Sequence, residues 1–246
     1  QELDNLTHGF AKGELVVVGG RPCVGKTNLF IQLALNMAAH APVLYANFDL
    51  PTHAFLSRSM AIAANLPIGT PLVPSFFAQH TSVVAKLSEQ FHQLPLYISS
   101  VGPQSVKALK KCCQQQIEEQ GVQAIFIDYL QMIGRKNGND ATGRMGRMLK
   151  ALAAKYNVCV VVASQLNRGI ESRKSQQHQL SDLGDSFAIE QYADKVLFIQ
   201  RPQTDTIAQK AGRFLEPYLL VTVAKNRTGE TGRVELPFIE GYHFLA

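Results

Sequence analysis

Eight consecutive residues, Gly20-Arg21-Pro22-Cys23-Val24-Gly25-Lys26-Thr27, satisfy the pattern G-x-x-x-x-G-K-[ST] without a mismatch. These residue types suit a polyphosphate. Glycines let backbone N–H groups approach an anion closely, a lysine can neutralise β/γ oxygens, and a threonine hydroxyl can ligate Mg²⁺. Asn28 extends the same phosphate-facing run into the segment that follows. Together they imply binding of a nucleoside triphosphate.

Three further groups stand at the ends of apolar runs. Ala124-Ile125-Phe126-Ile127-Asp128 is four apolar residues closed by an acid, and a carboxylate there can hold the Mg²⁺ that Thr27 also ligates. Val43-Leu44-Tyr45-Ala46-Asn47-Phe48-Asp49 also ends in an acid. Asp49 either orients the attacking water of hydrolysis or caps the helix that begins near Pro51-Thr52. Val160-Val161-Val162-Ala163-Ser164-Gln165 ends in groups able to contact a γ-phosphate, Gln165 above all. The loop beyond it carries Asn167, Arg168, Arg173 and Lys174, cations that either contact a nucleic-acid backbone or remain solvated. Lys225 and Arg227 fall on a late Gly- and Thr-rich turn. There they serve as solvated surface or reach a neighbouring subunit's γ-phosphate as finger cations.

The elements that must position these groups follow from hydrophobic period. Strand-like runs occur at Leu15–Val18, Val43–Phe48, Leu96–Ser99, Ala124–Ile127, Val158–Ala163 and Lys195–Ile199. Helical spacing fills most intervals, at Thr27–Ala39, Thr52–Ala64, Ser82–Phe91, Ser105–Gln120 and Arg144–Lys155. That alternation predicts an α/β fold with a mostly parallel central sheet flanked by helices. Tyr218–Ala224 and Arg233–Phe238 have no helix between them and predict a C-terminal antiparallel hairpin at one sheet edge. Pro67–Pro74, Asn137–Gly143 and Asn167–Gln179 read as loops.

Composition bounds the function. The 246 residues suffice for one large domain, so residues 1–246 are taken as a single unit. The chain opens on Gln rather than Met, which leads us to expect that it is part of a longer protein. No apolar run approaches a membrane span and no signal-peptide pattern opens the chain, so no membrane partner is expected. Cys23, Cys112, Cys113 and Cys159 lack metal-ligand spacing and suit reduced thiols in a cytosol. A net charge of +5 is compatible with a nucleic-acid partner.

Taken in order, these segments resemble the C-terminal ATPase domain of DnaB-type replicative helicases over nearly the whole chain. The resemblance is carried by Leu3-Asp4-Asn5-Leu6-Thr7-His8-Gly9-Phe10, the glycine loop, Ile127-Asp128-Tyr129-Leu130-Gln131 and Ser164-Gln165-Leu166-Asn167-Arg168. Leu180-Ser181-Asp182-Leu183, Ala188-Ile189-Glu190-Gln191-Tyr192-Ala193-Asp194 and Lys225-Asn226-Arg227-Thr228-Gly229-Glu230-Thr231-Gly232 complete it. It implies a RecA-like P-loop NTPase that uses ATP and Mg²⁺, a homo-hexameric ring around single-stranded DNA, and nucleotide sites between subunits. Lys26 and Thr27 would serve phosphate and metal, Asp128 the metal, Gln165 the γ-phosphate, and Lys225 and Arg227 the next subunit's site. Arg168, Arg173 and Lys174, with Gly184, Asp185, Ser186 and Phe187, would face DNA. A primase and a helicase loader are implied partners, with 5′-3′ polarity and a cytoplasmic, nucleoid-associated location.

Two departures stand out. The family usually ends its second strand with Ser-Leu-Glu-Met, whereas this chain has Asn47-Phe48-Asp49-Leu50. Its channel segment typically reads Asp-Leu-Arg-Glu-Ser-Gly-Ala-Ile-Glu-Gln. Here Asp182-Leu183-Gly184-Asp185-Ser186-Phe187-Ala188-Ile189-Glu190-Gln191 lacks the Arg and replaces the Gly by Phe. The expected function is an ATP-dependent helicase motor that translocates on single-stranded DNA and unwinds duplex. The alternative is a DnaB-like paralogue with a regulatory or structural role and weak hydrolysis. A recombination-type or clock-type RecA-fold ATPase is disfavoured by Asp128-Tyr129-Leu130-Gln131 and Ser164-Gln165-Leu166-Asn167-Arg168.

Overall fold

The structure is a computed structural model that describes residues 2–64, 66, 78, 81–99, 105–130, 141–166, 178–201 and 218–237. For Val83, Ala141 and 184–188 only the backbone is described. The elements run α1 (Glu2–Thr7), β1 (Leu15–Gly20), α2 (Lys26–Ala38), β2 (Val43–Asn47), α3 (Thr52–Ala63) and α4 (Thr81–Gln93). They continue with β3 (Leu96–Ser99), α5 (Val106–Gln120), β4 (Ala124–Asp128), α6 (Ala141–Tyr156) and β5 (Cys159–Gln165). A 3₁₀ segment (Leu180–Ser186), α7 (Phe187–Tyr192), β6 (Lys195–Gln200), β7 (Tyr218–Asn226) and β8 (Gly232–Pro237) complete the order.

The eight strands form one sheet in the order β3-β2-β4-β5-β1-β6-β7-β8. β3 through β6 in that order pair in parallel, while β7 and β8 are antiparallel and close one edge. Unbroken apolar runs such as Leu15–Val18 and Val160–Ala163 are what a sheet covered on both faces requires. Because side chains alternate across a strand, each run feeds two cores. Leu15, Val17, Leu44, Ile125, Ile127 and Val162 pack with Leu109 and Cys113 of α5 and Met145, Leu149 and Leu152 of α6. Val16, Val18, Tyr45, Phe126 and Val161 pack with Leu29, Phe30 and Ile31 of α2 and Phe55 of α3. β7 instead alternates buried with half-buried positions, as an antiparallel strand near an edge does.

Parallel pairing brings several strand ends to one side. Gly20 of β1 lies beside Gln165 of β5, and Asn47 of β2 beside Asp128 of β4. Ligands of open α/β sheets bind at this carboxyl edge. The opposite edge is closed by ionic groups from remote parts of the chain. Lys195, 1% exposed, donates to Glu14 Oε2, which also accepts from the Ala11 N–H at 2.9 Å. Asp194 Oδ2 accepts from the Leu15 N–H (2.8 Å) and Lys150 Nζ (2.6 Å).

The predicted sheet and hairpin are present, with local differences. β2 ends at Asn47, although the Phe48 N–H continues the pairing to the Asp128 carbonyl at 2.9 Å. α6 begins at Ala141, so residues 141–143 belong to a helix rather than to the expected loop. Lys225 lies within β7, leaving Arg227 on the turn. α1, the 3₁₀ segment and α7 were not expected as elements. Pro67–Pro74 lies outside the described residues.

Candidate functional site

β1 ends at Gly20 and α2 begins at Lys26, so the intervening loop is a strand-to-helix turn. Gly25 holds the N-cap at φ 110°, a left-handed conformation that only glycine enters without steric cost. Gly20 is required for a different reason. A Cβ there would lie 2.8 Å from Ile199 Cγ1 and 3.0 Å from Val24 Cγ1. The first turn of α2 contains no acid and its N-cap makes no side-chain bond, so its N–H groups and positive dipole end are left for an anion.

Lys26 Nζ donates to the carbonyls of Gly20 (2.8 Å) and Arg21 (2.7 Å), which holds the ammonium inside the loop's curve. Burial lowers its pKa to about 8, against the opposing fields of Asp128, Cys23 and Asp49. A cation this poorly solvated is poised to exchange its carbonyl partners for phosphate oxygens.

In front of the loop lies a cleft of about 450 Å³. Pro22, Cys23, Gly25, Lys26, Thr27 and Asn28 form one wall. Asp49, Leu50, Asp128, Tyr129, Gln165, Arg58 of α3 and Arg201 beyond β6 form the rest. Asn47 clamps the turn after β2, donating Nδ2–H to the Leu50 carbonyl (2.7 Å) and accepting the Leu50 N–H (3.1 Å). That two-point clamp is what places Asp49 in the cleft. Asp128 is buried, and burial raises its pKa, while hydrogen bonds from Thr27 and Tyr45 pull it back down. Tyr45 Oη donates to Asp128 Oδ2 at 2.9 Å, and burial drives the phenol pKa well above its usual value. Arg58 donates to Asn28 Oδ1 at 3.4 Å, and Arg201 to the Val24 carbonyl at 3.3 Å.

Thr27 and Asp128, already hydrogen-bonded, supply a hydroxyl and a carboxylate fit for a hard divalent cation. Among the described residues no group of three or more His, Cys, Asp and Glu could hold a metal, but Mg²⁺ needs only one or two protein oxygens beside phosphate and water. The donor set therefore suits Mg²⁺ carried in with a polyphosphate.

Of the sequence-identified residues, Pro22, Cys23, Gly25, Lys26, Thr27, Asn28, Asp49, Asp128 and Gln165 line this cleft, while Gly20, Arg21 and Val24 do not. Nor do Lys225 and Arg227. They lie at the far edge of the sheet, where Lys225 Nζ donates to the Glu190 carbonyl (2.7 Å) and Arg227 Nη2 to the Gln191 carbonyl (3.1 Å), both in α7. Arg227 Nη1 also stands 3.5 Å from Asp194 Oδ1, and burial and the neighbouring Arg227 lower the Lys225 pKa. Arg168, Arg173 and Lys174 lie outside the described residues. Gly184, Asp185 and Ser186 are in the 3₁₀ segment and Phe187 opens α7. Sequence reasoning missed Tyr45, Arg58 and Arg201. Arg58 is the one arginine in the otherwise apolar and neutral-polar helix THAFLSRSMAIA, and Arg201 follows a strand beside β1; both were available signals.

Fold and site together define a phosphate-loop nucleotide-binding protein on a mostly parallel sheet. The chain belongs to the DnaB-like helicase C terminal domain family, whose model matches residues 1–245. It is 32% identical over 254 residues to the replicative DNA helicase DnaB of Geobacillus stearothermophilus, covering 98% of this chain and 54% of that protein. The replicative DNA helicase DnaC of Bacillus subtilis (strain 168) matches with the same identity and coverage. The chain spans about half the length of these curated relatives. Among solved structures, an ATPase domain aligns with a TM-score of 0.86 at 26% identity, covering 99% of this chain and 88% of that one. A DnaB-like replicative helicase studied for its interactions with primase aligns at 0.81 and 26% identity, covering 98% and 59%. These likenesses bear out the RecA-like α/β fold.

Proposed function

We propose that this chain is the ATP-hydrolysing motor domain of a replicative DNA helicase, which translocates on single-stranded DNA and unwinds duplex. The observation that carries the reading is the cleft, where loop 20–27, the Thr27–Asp128 pair, Asp49 and Gln165 meet at the carboxyl edge of the sheet. Loop N–H groups and Lys26 bind the phosphates. Thr27 and Asp128 hold Mg²⁺, which neutralises phosphate charge when bound. Asp49 orients and polarises the attacking water, and Gln165 contacts the γ-phosphate. Arg58 and Arg201 add positive charge to the cleft walls.

Lys225 and Arg227 complete the site of an adjacent subunit, a reading supported by their position at the edge away from their own cleft. Head-to-tail contacts of that kind close into a ring, here a homo-hexamer. The segment 184–187 and the cations Arg168, Arg173 and Lys174 track the strand by backbone contact, with 5′-3′ polarity. An N-terminal domain and linker precede the domain in the complete protein. A primase and a loader are its partners, and replication in the cytoplasm its setting. No described helix is long and apolar enough to cross a membrane.

Steady-state ATP hydrolysis with and without single-stranded DNA tests the proposal. The expected result is DNA-stimulated turnover that disappears in Lys26→Ala. Turnover unchanged in that variant would overturn it.

A further inference from the structure

We propose that Tyr45 is a positioning residue for Asp128, fixing the carboxylate in the orientation that receives Mg²⁺. The inference rests on the reading of Thr27 and Asp128 as the metal-facing pair and adds a residue from the neighbouring strand. Side chains alternate along a strand, so Tyr45 on β2 and Asp128 on β4 project from the same face of the sheet. The parallel register sets Tyr45 beside Phe126 and Asn47 beside Asp128. Tyr45 and Asp128 are therefore diagonal neighbours, a separation that only a long side chain bridges. Tyr45 does so with its para hydroxyl, which donates to Asp128 Oδ2 at 2.9 Å.

The ring that delivers this hydroxyl is held on both sides. It packs at 4.6 Å on Phe55 of α3 and stacks with Phe126 of β4 at a centroid distance of 6.1 Å. Both Tyr45 and Asp128 are at most 1% exposed. A phenylalanine would fill the same apolar space. A hydroxyl taken out of water is unfavourable unless bonded, so its presence here is explained by the acceptor it meets. That acceptor also bonds Thr27. With Oδ2 engaged, rotation about the Asp128 Cβ–Cγ bond is arrested and the orientation toward Thr27 is retained. Partners of this kind behind a metal ligand typically change metal affinity or activity by about 10–100-fold when removed.

The test compares wild type with Tyr45→Phe, which keeps the ring and deletes the bond. A fluorescent ATP analogue is titrated in EDTA and again in saturating Mg²⁺, and Mn²⁺ bound to the protein–nucleotide complex is counted by electron paramagnetic resonance. The expected result is unchanged affinity in EDTA, within about twofold, and loss of about tenfold or more of the metal-dependent gain. Mn²⁺ binding weakens in parallel. In Asp128→Asn the gain is already gone, and adding Tyr45→Phe changes nothing more. Full retention of the gain in Tyr45→Phe, or an independent additive loss in the double variant, would overturn the assignment. If Tyr45→Phe does not fold, Tyr45→Met, which fills irregular apolar space without a hydroxyl, is judged by the same two readings. Wild type that binds no nucleotide, or binds it with no metal-dependent gain, would instead refute the site reading itself, and Tyr45's role with it.

Discussion

Arg227 separates a site that is complete in one chain from a site that two chains share. Asn226 pairs with Lys195, which pairs with Val16, and Gly20 lies four residues further along β1. At about 3.3 Å per residue, this places Arg227 at least ~13 Å from the start of its own phosphate loop. Its guanidinium is also directed to Asp194 and the Gln191 carbonyl at the opposite edge. No rotamer brings it into its own cleft, so under the proposed ring any contribution it makes to hydrolysis goes to a neighbour's site. Arg227→Ala should lower DNA-stimulated hydrolysis by about 10³-fold or more. Lys26→Ala should be equally inactive, because it lacks the phosphate cation of its own cleft. Mixing the two inactive proteins before assembly supplies the discriminating number. In a head-to-tail ring assembled at random from equal amounts of the two, about one interface in four pairs an intact loop with an intact arginine, and fewer do at any other ratio. The mixture should therefore recover about a quarter of the wild-type rate, read by a coupled ATPase assay across mixing ratios. A rate no higher than the sum of the two parents at every ratio, or wild-type hydrolysis by Arg227→Ala alone, would show that Arg227 serves no neighbouring site.

Three further outcomes follow from the packing. Gly20→Ala forces a Cβ against Ile199 and Val24 and should cost about 1–3 kcal/mol of stability while weakening nucleotide binding; an unchanged Tm and affinity would contradict the close approach. Lys195→Met leaves the Glu14 carboxylate buried without its cation and should cost about 3–5 kcal/mol in denaturant unfolding; adding Glu14→Gln should restore most of it, and a cost below about 1 kcal/mol would show that the pair does not hold the sheet's opposite edge together. Burial holds the Cys113 and Cys159 thiols up to about 12, so at pH 8 only about one molecule in 10⁴ carries either thiolate. Alkylation of the native protein should spare both until the pH approaches that range, while exposed Cys23 reacts and is shielded by nucleotide; rapid modification of all four at pH 8 would be inconsistent.

The sequence was most legible where period or motif was strong. Apolar runs of four to six residues between helical patterns left little choice but a covered parallel sheet, and the glycine loop marked its own strand and helix. Asp49, Asp128 and Gln165 were readable because each closes such a run, and parallel pairing carries all three to one edge. Short elements were not readable. α1 and α7 have six residues each, too few to establish a helical period. Tyr45 looked like core because it is core; its function lies in one hydroxyl meeting a residue 83 positions away. The Glu14–Lys195 pair spans 181 positions, and no local pattern announces a partner at that separation. Arg227 could be placed on a turn but not at an edge, since the edge exists only once β7 has paired with β6.

In the proposed motor, residues 20–27 would hold a triphosphate, and Thr27 and Asp128 would hold its metal. A crystal structure of the protein with a non-hydrolysable ATP analogue and Mg²⁺ tests it most directly. The expected result is phosphate density against the N–H groups of the loop, Lys26 Nζ turned from the Gly20 and Arg21 carbonyls to phosphate oxygens, and metal density at the Thr27–Asp128 pair. Nucleotide density elsewhere, with Lys26 still bonded to both carbonyls, would contradict it.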